Sequence, residues 1–186
     1  MMGDLRELLR QTHGKEADPS ACILDSRTLQ STPESGARAG CDAAKRRKGT
    51  KVHVTVDTLG CPLAVEASPA NEQDRDHVAQ LTEKVQDETG GTVEVAYVYR
   101  AYSGEAAARA ADTEGIELVV VSKAQGQRGF ILLPKLWVVE RSFGWIARCR
   151  HLLRDFERLN EVLVGMHMVA FAYVMLRQTS QFIWGS

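Results

Sequence analysis

The sequence predicts an α/β fold in which a mixed five-stranded sheet is flanked by helices and closed by a C-terminal helical pair. Three observations carry this. Lys51–Asp57 alternates with Val52, Val54 and Val56 on one face, and Thr58-Leu59-Gly60 supplies a turn before Pro62–Glu66, which makes a hairpin. Asp74–Glu88 repeats Val78, Leu81 and Val85 at three- and four-residue spacing, the pattern of an amphipathic helix. Beyond it, the strand-like runs Val93–Val98 and Ile116–Val121 are separated by the alanine-rich helical stretch Gly104–Thr113, an alternation that sets helices over a sheet.

The remaining elements follow in order. Asp4–Gln11 reads as a short helix and His13–Ser20 as a polar connector. Ala21-Cys22-Ile23-Leu24 is an apolar run that makes a first strand ending on Asp25. Residues 26–50 hold Ser, Thr, Ala and basic residues with Pro33, Gly36, Gly40 and Gly49, which predicts a loop. A loop of that length inside a domain is usually functional or disordered. Lys123–Gly129 is a polar connector with Gln125 and Gln127. The last third reads as two helices, Leu136–Leu159 and Asn160–Gln178. In the first, Val139, Phe143, Ile146 and Leu153 form the inward face, and Arg141, Arg148, Arg150, Arg154 and Arg158 lie elsewhere. The order strand, hairpin, helix, strand, helix, strand, helix is that of an RNase H-like fold, with the domain at 21–178, a connector at 1–20 and a tail at 179–186.

A chain of 186 residues, 44% hydrophobic, fits one full core. Its net charge of −1 conceals polarisation: Arg38–Lys51 carries six basic residues against Asp42, and Glu66–Glu88 carries seven acids against Arg75 and Lys84. A polyanion could meet only the first patch, centred on Lys45-Arg46-Arg47-Lys48, although such a run also serves as a plain solvated face. Cys22, Cys41, Cys61 and Cys149 lie far apart without a CxxC pair, which signals neither a zinc site nor a disulfide framework and fits a reducing cytoplasm. The start, Met1-Met2-Gly3-Asp4-Leu5-Arg6, has no secretory pattern. Val162–Leu176 is nearly all apolar but shorter than the roughly 20 residues of a membrane span, and reads as a buried helix.

One acid, Glu140, sits in the otherwise apolar, small and basic segment Trp137–Trp145, and Asp25 ends a distant strand. Phosphodiester cleavage needs an activated nucleophile, a stabilised leaving oxyanion and neutralised phosphate charge, which two magnesium ions roughly 3.5–4 Å apart provide. Magnesium takes hard oxygen ligands, so such a centre is built from Asp and Glu side chains gathered by folding. Each acid has a plainer reading too, since strand-end Asp residues cap turns and helical Glu residues pair with a basic residue one turn on. Glu140 has Phe143 and Gly144 there instead. Tyr97, Tyr102, Trp137 and Trp145 read as packing residues, His53 and His77 as structural or solvent-facing, and His167 as a hydrogen-bonded core residue.

Five ordered motifs resemble a known family. Asp25–Gly36, Lys45–His53, Ser68–Arg75, Arg128-Gly129-Phe130 and Trp137–Phe143 look like the catalytic domain of bacterial insertion-sequence DDE transposases of the insertion sequence five group, over roughly Leu5–Arg177. The resemblance implies an RNase H-like fold, dependence on magnesium with manganese as substitute, and cleavage and joining of DNA. It implies as partners the double-stranded DNA of transposon ends and target, a homo-oligomer assembled on DNA, no membrane, and a bacterial cytoplasmic location. By position Asp25 matches the first acid and Glu140 the last, both as metal ligands. The second acid departs from the pattern: Tyr99 stands where the family has Asp, followed by Arg100. A phenol of ordinary pKa about 10 is a poor magnesium ligand. Glu94 and Glu105 do not replace the acid by position, and Leu136, beside Lys135, stands where the family tends to have Arg.

Full-length relatives carry a helical N-terminal DNA-end-binding segment, of which Asp4–Gln11 would be the remnant. Lys45, Arg46, Arg47, Lys48, Arg141, Arg148 and Arg150 would still hold phosphates without sequence preference. The expectation is a transposase catalytic domain impaired by Tyr99; the alternative is a catalytically inactive DNA-binding or dimerising relic. An RNase H-like nuclease unrelated to transposition shares the fold but does not explain the Trp137–Phe143 motif.

Overall fold

The computed structural model describes residues 2–122 and 135–185, so the connector Lys123–Gly129 and the Arg128-Gly129-Phe130 motif lie outside the described residues. Helix α1 (Met2–Thr12) precedes β1 (Ala21–Ser31), β2 (Gly40–Asp42), β3 (Arg47–Asp57) and β4 (Pro62–Pro69). A 3-10 turn, Asp74–His77, then enters α2 (Val78–Thr89), followed by β5 (Val95–Val98), α3 (Glu105–Thr113), β6 (Glu117–Val120), α4 (Trp137–Ile146), β7 (Arg154–Asp155) and α5 (Asn160–Trp184). The five expected strands are β1, β3, β4, β5 and β6, and their order across the sheet is β4-β3-β1-β5-β6, with β2 paired to β3 and β7 to β1. Pairings of β1, β3 and β4 are antiparallel, and those of β1, β5 and β6 are parallel. The fold is RNase H-like.

Strand alternation assigns the faces. Cys22 and Leu24 of β1, with Ala96 and Val98 of β5, pack under α2 and α3 on Val78, Leu81, Val85 and Ala107. Ile23, Val52, Val54, Val56 and Val65 face the other way, onto Val139 and Ile146 of α4 and Leu163 and Phe171 of α5. Each such side chain, wholly removed from water, contributes about 1.5–3 kcal/mol. The N-terminal helix joins this body too. Leu9 is buried with Met175 of α5, and the Arg10 guanidinium meets the Asp57 carboxylate at 2.8 Å.

Two expectations about regular structure are corrected. Residues 26–50 are not a loop: β1 continues to Ser31, and its register with β3 runs from Cys22 opposite Asp57 to Gln30 opposite Gly49. Continuous pairing outweighs the local breakers, and one breaker is required by it. A Cβ on Gly49 would lie 2.1 Å from the Leu29 carbonyl oxygen, so only glycine lets the strands meet there. Asp25 is therefore inside a strand, opposite Val54, rather than at its end.

The expected helix Leu136–Leu159 stops at Ile146 and gives way to a 3-10 turn, Arg150–Leu153, and to β7. Long-range hydrogen bonds replace the helical ones. Arg27 donates to the Leu152 carbonyl at 2.6 Å, and the hydroxyls of Thr32 and Ser35 donate to the Asp155 carbonyl at 2.7 and 2.8 Å. The break exchanges one inward residue for its neighbour: Leu152 is buried, whereas Leu153 is 53% exposed. Helix α5, expected to end at Gln178, runs on to Trp184.

Candidate active site

Asp25 lies on the face of β1 that Ile23 shares, beneath α4. Its neighbour across the sheet follows from register: β1 and β5 pair through Leu24 opposite Val98, so the next residues along, Asp25 and Tyr99, stand side by side. Tyr99 shares the α4 side with Tyr97, and its hydroxyl donates a hydrogen bond to Oε1 of Glu140. The expected trio is thus assembled, with a phenol between two acids.

Glu140 owes its place to the way α4 is seated. Val138, Val139, Ser142 and Ile146 turn inward, which leaves Glu140 on the exposed first turn. The Ser142 hydroxyl bonds the Gly60 carbonyl at 3.2 Å, and Arg141 donates to the Leu59 carbonyl at 2.8 Å, so the β3–β4 turn anchors the helix. Gly60 has φ +91°, and a Cβ there would sit 2.6 Å from Ser142 Oγ, which reserves the position for glycine on two counts.

The electrostatics are lopsided. Burial pushes the Asp25 carboxyl up to about 7, and the charges of Asp74 and Glu140 add to the rise. The Ser26 backbone N–H, donating at 2.7 Å, and Lys45 oppose it without cancelling it. Burial, the hydrogen bond to Glu140 and the two nearby carboxylates push the Tyr99 phenol above the usual tyrosine range. Tyr99 is therefore a neutral donor at neutral pH rather than an anionic ligand.

Lys45 folds back from the β2–β3 turn, its ammonium 2.9 Å from Thr28 Oγ1 and 3.8 Å from Asp42. Arg46, with φ 49°, is exposed in that turn, and Arg47 and Lys48, the first residues of β3, are exposed beside it. Arg148 and Arg150 are exposed as well, and Arg148 borders a cavity of about 420 Å³ with Trp145, Tyr173 and Arg177.

Arg141 is corrected: its guanidinium is held between the rings of Trp137 and Trp145, 4.6 Å from each centroid, with burial lowering its pKa. A cation so stacked and hydrogen-bonded is an anchor for α4, not a free phosphate contact. Trp137 and Trp145 are corrected with it, since both keep solvent contact and clamp Arg141 instead of filling the core. The positions before α4 also differ in use: Leu136 is buried, and Lys135 places its ammonium 5.3 Å from the Tyr97 ring.

The sequence reading overlooked Asp74. It heads the 3-10 turn before α2, accepts from Ser26 Oγ at 2.9 Å and pairs with Lys51 at 3.2 Å. Ser26 points to the face opposite Asp25, so Asp74 acts on Asp25 across the backbone and not from the same pocket. The signal was present in the Ser68–Arg75 motif, where this Asp is the acid beside the helix start. Glu105, weighed as a substitute, is instead paired with Arg109 at 2.6 Å.

The histidines are structural. His53 is wholly buried, accepts from or donates to Tyr102 Oη at 2.9 Å and Ser68 Oγ at 3.1 Å, and stacks on His77. Burial, then His77 and Lys51, depress its pKa to about 3. His167 bonds the Leu163 carbonyl at 2.8 Å within α5.

The fold is that of an RNase H-like domain, with Asp25, Tyr99 and Glu140 beside its central strand. The chain matches the family described as Transposase DDE domain over residues 16–175. It is 31% identical over 146 residues to a protein of Burkholderia cepacia named as a transposase for insertion sequence element IS402, covering 75% of this chain and 67% of that one. The solved catalytic core domain of BIV integrase aligns over 85% of this chain and 94% of its own, with a TM-score of 0.47 and 14% identity. On its sequence matches, the chain belongs to the DDE transposase family and is a DNA transposase catalytic domain.

The family uses divalent metal. The residues present here do not fit that requirement: among the described residues no three carboxylate, imidazole or thiolate side chains gather at a common point. Asp25 and Glu140 remain, and the position between them is a neutral phenol already bonded to one of them.

Proposed function

We propose that this chain is an insertion-sequence transposase domain of the insertion sequence five group whose catalytic centre is closed by Tyr99. Asp25 and Glu140 stand at the positions of the first and last catalytic acids, which in the family's centre would ligate magnesium or, in its place, manganese, and Tyr99 stands for the second acid. The observation that carries the reading is the hydrogen bond from Tyr99 to Glu140 on the face that Asp25 shares. In this chain Glu140 accepts the hydrogen bond of the Tyr99 phenol, and Asp25, with a carboxyl near 7, is a weak anion.

The substrates in this reading are the double-stranded DNA of the element's ends and of its target, in the cytoplasm of a bacterium, with copies of the protein assembled on that DNA. Residues 21–178 form the working domain and 1–20 lead into it. Lys45, Arg46, Arg47, Lys48, Arg148 and Arg150 supply phosphate contacts, so duplex binding weakens steeply with salt. That combination suits a protein that still occupies DNA and no longer cuts it.

The test is nicking and strand joining of a labelled duplex carrying the element's ends, with magnesium or manganese. The chain is expected to be inert, Tyr99→Asp to cut, and Tyr99→Asp with Glu140→Ala to be inert again. Cutting by the unaltered chain that Glu140→Ala abolishes would overturn the closure by Tyr99.

A further inference from the structure

Between the end of α4 and the last turns of α5 lies the cavity of about 420 Å³ that Arg148 borders, within the roughly 300–1,000 Å³ of sites that hold small organic ligands. It opens at the opposite end of α4 from Glu140, which stands in the first turn, so it is separate from the acids of the candidate active site. Trp145 and Tyr173 supply aromatic surface, Arg148 and Arg177 two cations, and Gln178 and Gln181 two carboxamides. Among the described residues no acid lines this cavity, and neither the two guanidiniums nor the two carboxamides have a hydrogen bond or an ion pair.

A second cavity, of about 470 Å³, shares Trp145, Gln178 and Gln181 and makes the contrast. Its arginine, Arg141, is already bonded to the Leu59 carbonyl and stacked on Trp145, and Leu9, Leu59 and Phe182 make much of its wall apolar. The first cavity keeps both of its cations unspent.

We propose that the first cavity binds an unpaired nucleotide, its base against Trp145 and its phosphate on Arg148 and Arg177. A base stacks on an aromatic ring whatever its identity. Guanidinium forks match phosphate oxygens, and carboxamides match the donor and acceptor atoms on a base edge. Other occupants use only part of this set. Inorganic phosphate or a duplex backbone engages the arginines and leaves the ring and the carboxamides idle. An apolar side chain of another protein covers the ring and strands two guanidiniums without acceptors. The nucleotide arrives free in solution or as the unpaired end of a DNA strand. In the second case the site rests on the DNA-binding reading given above, and in the first it stands without it.

Cys149 lines the same cavity and reports on its occupancy, whereas Cys41 is exposed on β2 and Cys22 and Cys61 are buried. The test is alkylation of the whole chain by iodoacetamide in the presence of EDTA, followed separately at Cys149 and Cys41 by mass spectrometry. Adenosine, guanosine, cytidine and thymidine 5′-monophosphates are the first probes, and a single-stranded tetranucleotide with a 5′-phosphate is the second. Saturable protection of Cys149 but not Cys41 is expected, with half-protection below about 1 mM. Arg177→Gln should raise that concentration about tenfold, the loss of one charge-assisted contact, while Arg158→Gln, exposed and outside the cavity, should leave it unchanged. Protection by the tetranucleotide alone identifies a strand end as the ligand, and protection by the mononucleotides identifies a free one. Protection by neither would overturn the proposal, as would equal protection by inorganic phosphate, protection by duplex DNA only, or indifference to Arg177→Gln. No metal or strand cutting enters the measurement, so its result does not depend on whether Tyr99 closes the catalytic centre.

Discussion

Asp155 and Asp25 lie at two places along the same central strand, and the protein treats them in opposite ways. Asp155, wholly buried beside the far end of β1, receives Arg38 at 2.7 Å, the Thr50 hydroxyl at 2.6 Å and the Glu157 backbone N–H at 3.1 Å. Asp25 receives one backbone N–H, and the other charges that act on it are two acids and a distant-reaching Lys45. An acid kept for the fold is compensated on every side. Asp25, the acid proposed for chemistry, is left short of cations.

The largest break in this comparison should come from Asp155→Ala. It strands Arg38 among buried groups and removes the side-chain bonds to the Thr50 hydroxyl and the Glu157 backbone N–H. A loss of about 3–5 kcal/mol is expected for opening a buried ion pair, measured by urea denaturation.

Asp25→Asn should act in the other direction. The unfolded carboxyl titrates near 3.8 and the folded one near 7, so in the folded state protonation is favoured between those values. The protonated group's contribution is complete below pH 3.8 and is lost as pH rises through 7. Above that, the variant should be the more stable by on the order of 2 kcal/mol, allowing for solvent screening of a partly exposed group. His53 has the reverse slope. Buried neutral with a folded pKa of about 3, it contributes stability above the unfolded value of 6.5 that is lost as pH falls toward 3. The two slopes oppose each other in the unaltered chain. Asp25→Asn should therefore lose stability more steeply on acidification, and parallel curves would contradict the shift assigned to Asp25.

A smaller effect separates anchor from substrate contact. Arg141→Ala should cost about 1–2 kcal/mol through the lost carbonyl bond and the unstacked tryptophans, without changing the salt slope of DNA binding. Arg47→Ala should leave stability unchanged and reduce that slope by about one contact. Tyr99→Phe should cost about 1 kcal/mol or less in urea denaturation, since it frees Glu140 to solvent without supplying a ligand.

These same residues show what the sequence could disclose. Alternation at Val52, Val54 and Val56 and the repeats of Asp74–Glu88 placed sheet and helices correctly because the physics behind them is local. The break after Ile146 was hidden because its causes, Arg27, Thr32 and Ser35, lie more than a hundred residues upstream. Trp137 and Trp145 read as packing residues from the sequence, which does not say that Arg141 occupies the gap between them. Asp25, Tyr99 and Glu140 were legible as a set from motif resemblance. The hydrogen bond joining two of them, and Asp74 behind the strand, required the fold.

The most direct measurement of the central claim is calorimetric titration of manganese into the unaltered chain, Tyr99→Asp, and Tyr99→Asp combined with Glu140→Ala. Saturable binding by Tyr99→Asp alone is the predicted result, because only that variant has three acids on one face. Binding of equal affinity by the unaltered chain would contradict the account and return Tyr99 to the role of a bystander.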